Sequence, residues 1–146
     1  MTRLQSYLNF AGNAKEAFDL YRSVFGGELS SVVRFKDLPL EGVTISEEDG
    51  DKIMHIALPI GEDSVLMASD TLESFGRPFV QGNNVYVSVH PATREEADRI
   101  FEALSEGAEI EMPIDDQRWG DYFGSLEDRF GVHWMVNHSP PRDGEL

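Results

Sequence analysis

An internal repeat constrains this chain more than any other feature. Set AGNAKEAFDLYRSVFGGEL (residues 11–29) beside HPATREEADRIFEALSEGAEI (residues 90–110). Shifted by 80 positions, Glu16 falls on Glu96, Ala17 on Ala97 and Leu20 on Ile100. Tyr21 falls on Phe101, Val24 on Leu104 and Gly27 on Gly107. Each copy opens with an apolar, strand-like run, SYLNF (6–10) and NVYVSV (84–89), then turns through polar residues into a helix pattern. One such copy alone exposes a sheet face, so the two are expected to pack or pair.

The helix stripes follow from spacing. Ala17, Leu20, Tyr21 and Val24 line one side of the first helix, and Ala97, Ile100, Phe101 and Leu104 one side of the second. Asn13 and Thr93 are the expected N-caps, with Glu16 and Glu96 three residues on completing a capping-box pattern. Gly26-Gly27 and Gly107 are the expected stops, because glycine takes the left-handed conformation at little strain. Three strand-like runs follow each helix: residues 28–35, 52–60 and 63–70 in the first half, and 108–114, 121–128 and 132–138 in the second. GED (61–63) and RFG (129–131) are expected hairpin turns, residues 37–51 an acidic loop, residues 71–84 a linker, and SPPRDGEL a frayed tail. The expectation is α+β: two βαβββ modules, about 1–72 and about 83–138, forming curved mixed sheets around a cavity in one domain of 146 residues.

Composition narrows the function classes. There are 27 acidic residues against 12 basic ones, a net charge of −15, which repels phosphate backbones and anionic membranes and favours a cationic small ligand. Cysteine is absent, removing disulfides, thiolate catalysis and cysteine metal ligands together. No run approaches the ~20 apolar residues of a membrane helix. MTRLQSYLNF has no apolar signal core, so a cytoplasmic location is expected. No nucleophile-elbow motif and no phosphate-binding P-loop occur.

The doubled βαβββ order resembles the vicinal oxygen chelate superfamily, which includes glyoxalase I, extradiol dioxygenases, and bleomycin- and fosfomycin-resistance proteins. LNFAGNAKEAFDLYRSVFGGEL (8–29), KIMHIALPIGEDSVLMASD (52–70) and MPIDDQRWGDYFGSLEDRFGVHWMVN (112–137) are similar to its PhnB-like branch along nearly the whole chain. Some members of that branch are labelled ubiquinone-pathway methyltransferases, but no glycine-rich strand-to-helix turn suited to a methyl-donor nucleotide is present here. The resemblance implies a homodimer. It also implies a divalent metal held by His and Glu at four positions, which carry over to Ser6, Met67, Asn84 and Met135. None is His, Asp or Glu, and two are thioethers, poor ligands for hard ions. No metal and no cofactor are therefore expected.

Strand alternation sorts the histidines. His133, Met135 and Asn137 share one face, and Trp134, Val136 and His138 the other, so His133 and His138 cannot close on one ion. His133 and His55 are candidate catalytic bases, because imidazole titrates near ~6.5; a packed strand histidine is the competing reading. His138 is expected to be solvated at the strand end. Asp70 ends its strand, where it could join a new metal site with the two histidines or cap the following turn. The candidate ligand-binding residues are Tyr7, Met67, Asn84, Trp119, Phe123 and Met135: aromatics to stack on a flat or cationic ligand, thioethers to fit varied shapes. Arg77 and Arg118 are candidate anion contacts. The primary expectation is a small-molecule binding protein. The alternative is a lyase, isomerase or dioxygenase with a relocated metal or a histidine base.

Overall fold

The computed structural model describes residues 1–76 and 78–141. Arg77, one candidate anion contact, and residues 142–146 of the tail lie outside the described residues. The chain divides into two compact units, Met1–Val80 and Gln81–Leu146, with the boundary inside the segment expected to link the halves.

Unit 1 runs β1 (Ser6–Phe10), α1 (Ala14–Phe25), β2 (Ser31–Arg34), α2 (Glu47–Gly50), β3 (Ile53–Ile60) and β4 (Ser64–Asp70). Unit 2 runs β5 (Val87–Val89), α3 (Arg94–Ser105), β6 (Glu109–Asp116), β7 (Tyr122–Glu127) and β8 (His133–His138). The sheets have the same order, β1-β4-β3-β2 and β5-β8-β7-β6, and neither closes. In each, the first strand lies parallel to the last and the remaining pairs are antiparallel. The expected α+β pair of βαβββ modules is present.

Each helix covers one face of its own sheet. Helix α1 buries the expected stripe together with Ala14 and Phe18, and faces Ile56, Leu58, Leu66 and Ala68. Helix α3 buries Ala97, Ile100, Phe101 and Leu104 beside Leu126, Trp134 and Val136. Each fully buried large side chain stabilises the fold by roughly 1.5–3 kcal/mol. Gly124 on β7 carries no side chain because none fits: a Cβ there would meet the Ile114 backbone and the Phe101 ring at 2.8 Å.

The two helix starts differ from each other. Thr93 caps α3 as expected, its hydroxyl accepting from the Glu96 amide. Asn13 does not cap α1 with its side chain. The acceptor is Asp70, at the far end of β4 and 3% exposed. Its Oδ1 accepts from the Gly12 and Ala14 amides, both at 3.0 Å, and its Oδ2 from the Ile53 amide at 2.8 Å. A charged acceptor reaching three amides outcompetes a local amide side chain.

Two expected elements are redrawn. The acidic loop contains α2, capped by Ser46 and begun by Glu47, Glu48 and Asp49, carboxylates that suit a helix N-terminus. Strand β5 starts only at Val87, so Asn84 precedes it. Among the described residues, no helix is long and apolar enough to cross a membrane.

Candidate functional site

In each unit the sheet face turned away from the helix carries most of the candidate residues. In unit 1, alternation puts Tyr7 and Asn9 of β1, His55 and Ala57 of β3, and Met67 and Ser69 of β4 on that face. Tyr7 pairs with Met67 across the parallel strands, and Ala57 pairs with Met67 on its other side. Tyr7 is 48% exposed. Its ring stacks on His55 at 5.8 Å between centroids, and its hydroxyl lies 3.3 Å from His55 Nδ1. Three sequence candidates, Tyr7, His55 and Met67, therefore come together. Asn9 and Ser69 close the far end with a 3.3 Å hydrogen bond from the serine.

In unit 2 the corresponding face carries Ser88 of β5, Phe123, Ser125 and Glu127 of β7, and His133, Met135 and Asn137 of β8. Ser125 and Ser88 flank Met135, while Glu127 lies opposite His133 and Phe123 opposite Asn137. Trp119 sits in the β6–β7 turn, 55% exposed, with its ring edge-on to Phe123 at 5.8 Å. Trp119 and Phe123 thus meet at one end of the face, His133 lies at the other, and Met135 falls between. Arg118 is exposed in the same turn as Trp119.

Register corrects two assignments. Ser6 pairs with Leu66 and so lies on the helix side; the residue sharing a face with Met67 is Tyr7. Asn84 is exposed and outside the sheet; the partner of Met135 is Ser88. At the corrected positions unit 1 offers Tyr7 and Met67 and unit 2 offers Ser88 and Met135, one hydroxyl and one thioether in each. Neither pair offers an imidazole or a carboxylate, and neither fits a hard divalent ion. Asp70 is committed to three backbone amides, so it is not available to a site with the histidines. Among the described residues, no group of three or more His, Asp and Glu is placed to hold a metal.

The remaining histidines make local hydrogen bonds. His138 is not solvated as expected: it lies on the helix side of β8, half-buried, and its Nδ1 donates to the Pro91 carbonyl at 3.0 Å. His90 lies 2.9 Å from the Ser88 hydroxyl.

The sequence reading missed Glu111. Tyr86, just before β5, reaches across the face and its hydroxyl donates to Glu111 Oε1 and Oε2 at 2.8 and 2.9 Å. Its ring sits 5.1 Å from that of His133. His133 is 7% exposed, its Nδ1 has no hydrogen-bond partner, and Glu111 Oε2 lies 3.6 Å away. That separation is within ion-pair reach but too long for a hydrogen bond. The hydrogen bond to Glu111 raises the Tyr86 phenol above its ordinary value, with desolvation and the charges of Glu111 and Glu127 adding to the effect. The signal for Glu111 was the alternation of Glu109 and Glu111 in β6. The register irregularities on either side of Met112 are not legible in that pattern.

A second aromatic cluster on the α3 side has a packing role. The Arg94 guanidinium stacks 3.8 Å over the Tyr122 ring and bridges both carboxylate oxygens of Asp116, at 2.8 and 3.1 Å. Tyr122 donates its hydroxyl to Asp98, which raises the phenol's pKa.

Comparison with known proteins fits this architecture. The chain is 30% identical to protein YjdN of Escherichia coli (strain K12) over 141 residues, covering 92% of this chain and 93% of that protein. The crystal structure of PA1353 from Pseudomonas aeruginosa superimposes with a TM-score of 0.84 at 37% identity, covering 95% of this chain and 98% of that one. The PhnB protein from Bacillus cereus superimposes with a TM-score of 0.74 at 25% identity, covering 94% and 100%. The Glyoxalase/Bleomycin resistance protein/Dioxygenase superfamily model matches residues 3–136, both repeats included, and the chain belongs to that superfamily.

Proposed function

We propose that this protein binds a small organic molecule against the helix-free faces of its sheets, without the divalent metal usual in the superfamily. The observation that carries the reading is what those faces hold: a tyrosine ring against a histidine in each unit, with Tyr7 and Met67, and Ser88 and Met135, at the positions corresponding to the superfamily's metal ligands. Aromatic and thioether side chains give adaptable apolar contact, and a few polar groups fix orientation. The net charge of −15 favours a cationic ligand over nucleic acid or an anionic membrane. The proposal includes a homodimer in the cytoplasm. Exposed Val32 on edge strand β2, and Ile110 and Met112 on edge strand β6, support pairing.

The test uses protein treated with a chelator and labelled at its methionine methyls. A panel of benzyl and naphthyl compounds should shift the Met67 and Met135 signals and be recovered unchanged. Binding that appears only after Mn, Fe, Co, Ni or Zn is restored would sink the reading, as would a panel that shifts neither signal. Sedimentation of the same sample at the mass of one chain would remove the dimer.

Proton-transfer catalysis is the second reading, favoured by the Glu111 carboxylate beside His133. It requires chemical conversion of a bound compound, lost in His133→Ala with folding retained.

A further inference from the structure

The Tyr86–Glu111–His133 cluster combines two features that packing alone does not explain. His133 Nδ1 is a buried polar atom without a hydrogen bond, directed at a carboxylate 3.6 Å away. Buried imidazole nitrogens are ordinarily satisfied, and those that are not call for a cause. Glu111 in turn is only partly satisfied. One phenolic proton from Tyr86 spans both its oxygens, leaving further acceptor positions open.

The charged side chains on the strands themselves are of one sign. Glu127 lies directly opposite His133, and Glu109 directly opposite Glu127. Strands β5 to β8 contain no lysine or arginine to neutralise them. Glu111 is one third exposed on edge strand β6, so its side chain is the one able to turn aside for an entering ligand.

We infer that Tyr86, Glu111 and His133 form a binding site for a primary or secondary ammonium group carried on an apolar body. A nitrogen about 2.8 Å from both Glu111 Oε2 and His133 Nδ1 completes a triangle on the 3.6 Å base, at charge-assisted hydrogen-bond length. One N–H donates to the carboxylate. A second donates to Nδ1, which is an acceptor when the neutral imidazole carries its proton on Nε2. The Tyr86 ring, 5.1 Å from that of His133, borders the same position. The apolar body lies toward Met135 and Phe123. An alcohol lacks the charge and a quaternary ammonium lacks the N–H donors, so the site discriminates against both. This inference rests on the small-molecule reading and specifies its chemistry.

Benzylamine, benzyl alcohol and benzyltrimethylammonium, titrated into the intact protein at physiological salt, test it. Benzylamine should bind at least about tenfold more tightly than the other two, the difference expected for charge-assisted hydrogen bonds. It should also move the His133 Nδ1 nitrogen resonance, which benzyl alcohol should not. Glu111→Gln should abolish the preference, and Glu102→Gln, on the exposed side of α3, should keep it. Benzyl alcohol binding as tightly as benzylamine overturns the ammonium site and leaves the broader reading standing. So does an amine preference that survives Glu111→Gln. If Glu111→Gln fails to fold, a His133 signal unmoved by benzylamine in the wild-type protein overturns the site by itself. No response from any methionine methyl to all three probes counts against both readings.

Discussion

The two units share a strand order and differ in how they use it. Met67 and Met135 hold the same place in their sheets, each beside the first strand of its unit. From that reference, Tyr7 corresponds to Ser88, Ile56 to Gly124, and Asp70 to His138. The tyrosine over a histidine in unit 1 and the one in unit 2 therefore arise from non-equivalent positions. In unit 1 the Tyr7 hydroxyl lies within hydrogen-bond distance of the imidazole. In unit 2 a carboxylate takes the Tyr86 hydroxyl and leaves the imidazole unpaired. The repeat maintains the scaffold, while the helix-free faces carry separate chemistries.

The ends of the last strands show the same divergence. Asp70 accepts hydrogen bonds from the segment leading into α1, and His138 donates one to the segment leading into α3. Replacing Asp70 by alanine strands three amides, two of them at the start of α1. It should destabilise the protein by about 3–5 kcal/mol. Thr93→Ala removes one local cap and should cost about 1 kcal/mol. Urea unfolding of the two variants measures the contrast directly, and equal midpoints would erase it.

The second contrast lies in the core, where Ile56 and Gly124 occupy the same place. In unit 2, Phe101 and Ile114 fill the volume, so Gly124→Ala should destabilise by about 1–3 kcal/mol through overpacking. A thermal melt unchanged from wild type would mean that Phe101 moves aside freely.

The smallest effect sharpens the comparison of the two tyrosine–histidine pairs. Tyr86 is held above the ordinary phenol value by Glu111. A raised pKa contributes stability at lower pH, and that contribution is lost as pH climbs through the folded value. In Glu111→Gln, alkaline titration followed at 295 nm should show this phenol ionising at lower pH than in wild type. An unchanged curve would show that Glu111 does not hold the phenol in solution.

Much of the fold was legible because the signals are local or periodic. The stripe Ala97, Ile100, Phe101 and Leu104, and the alternation through His133 to His138, need no information beyond their neighbours. The Ser46 cap and the carboxylates after it were equally local, and were passed over as part of an acidic run. The Asp70 cap was not legible, because its partners lie 56 and 58 residues away and Asn13 offered a plausible local substitute. The candidate site was half legible. Alternation grouped His133 with Met135, and Tyr7 and Met67 were both candidates, but carrying Ser6 and Asn84 over by motif missed the register that sets Tyr7 beside Met67. The reach from Tyr86, at the β5 edge, to Glu111 on β6 passes over β8 and β7 and depends on sheet shape, which no residue pattern states.

The Asp70 linkage also orders events in time. As the chain emerges during synthesis, the α1 segment is made well before β4, so its amino-terminal amides precede their acceptor. Helix α3 emerges with Thr93 already in place. Forming α1 stably therefore requires the long loop to β4 to close first, with the entropy that closure costs. The first unit assembles as a whole, whereas the second can begin from its helix.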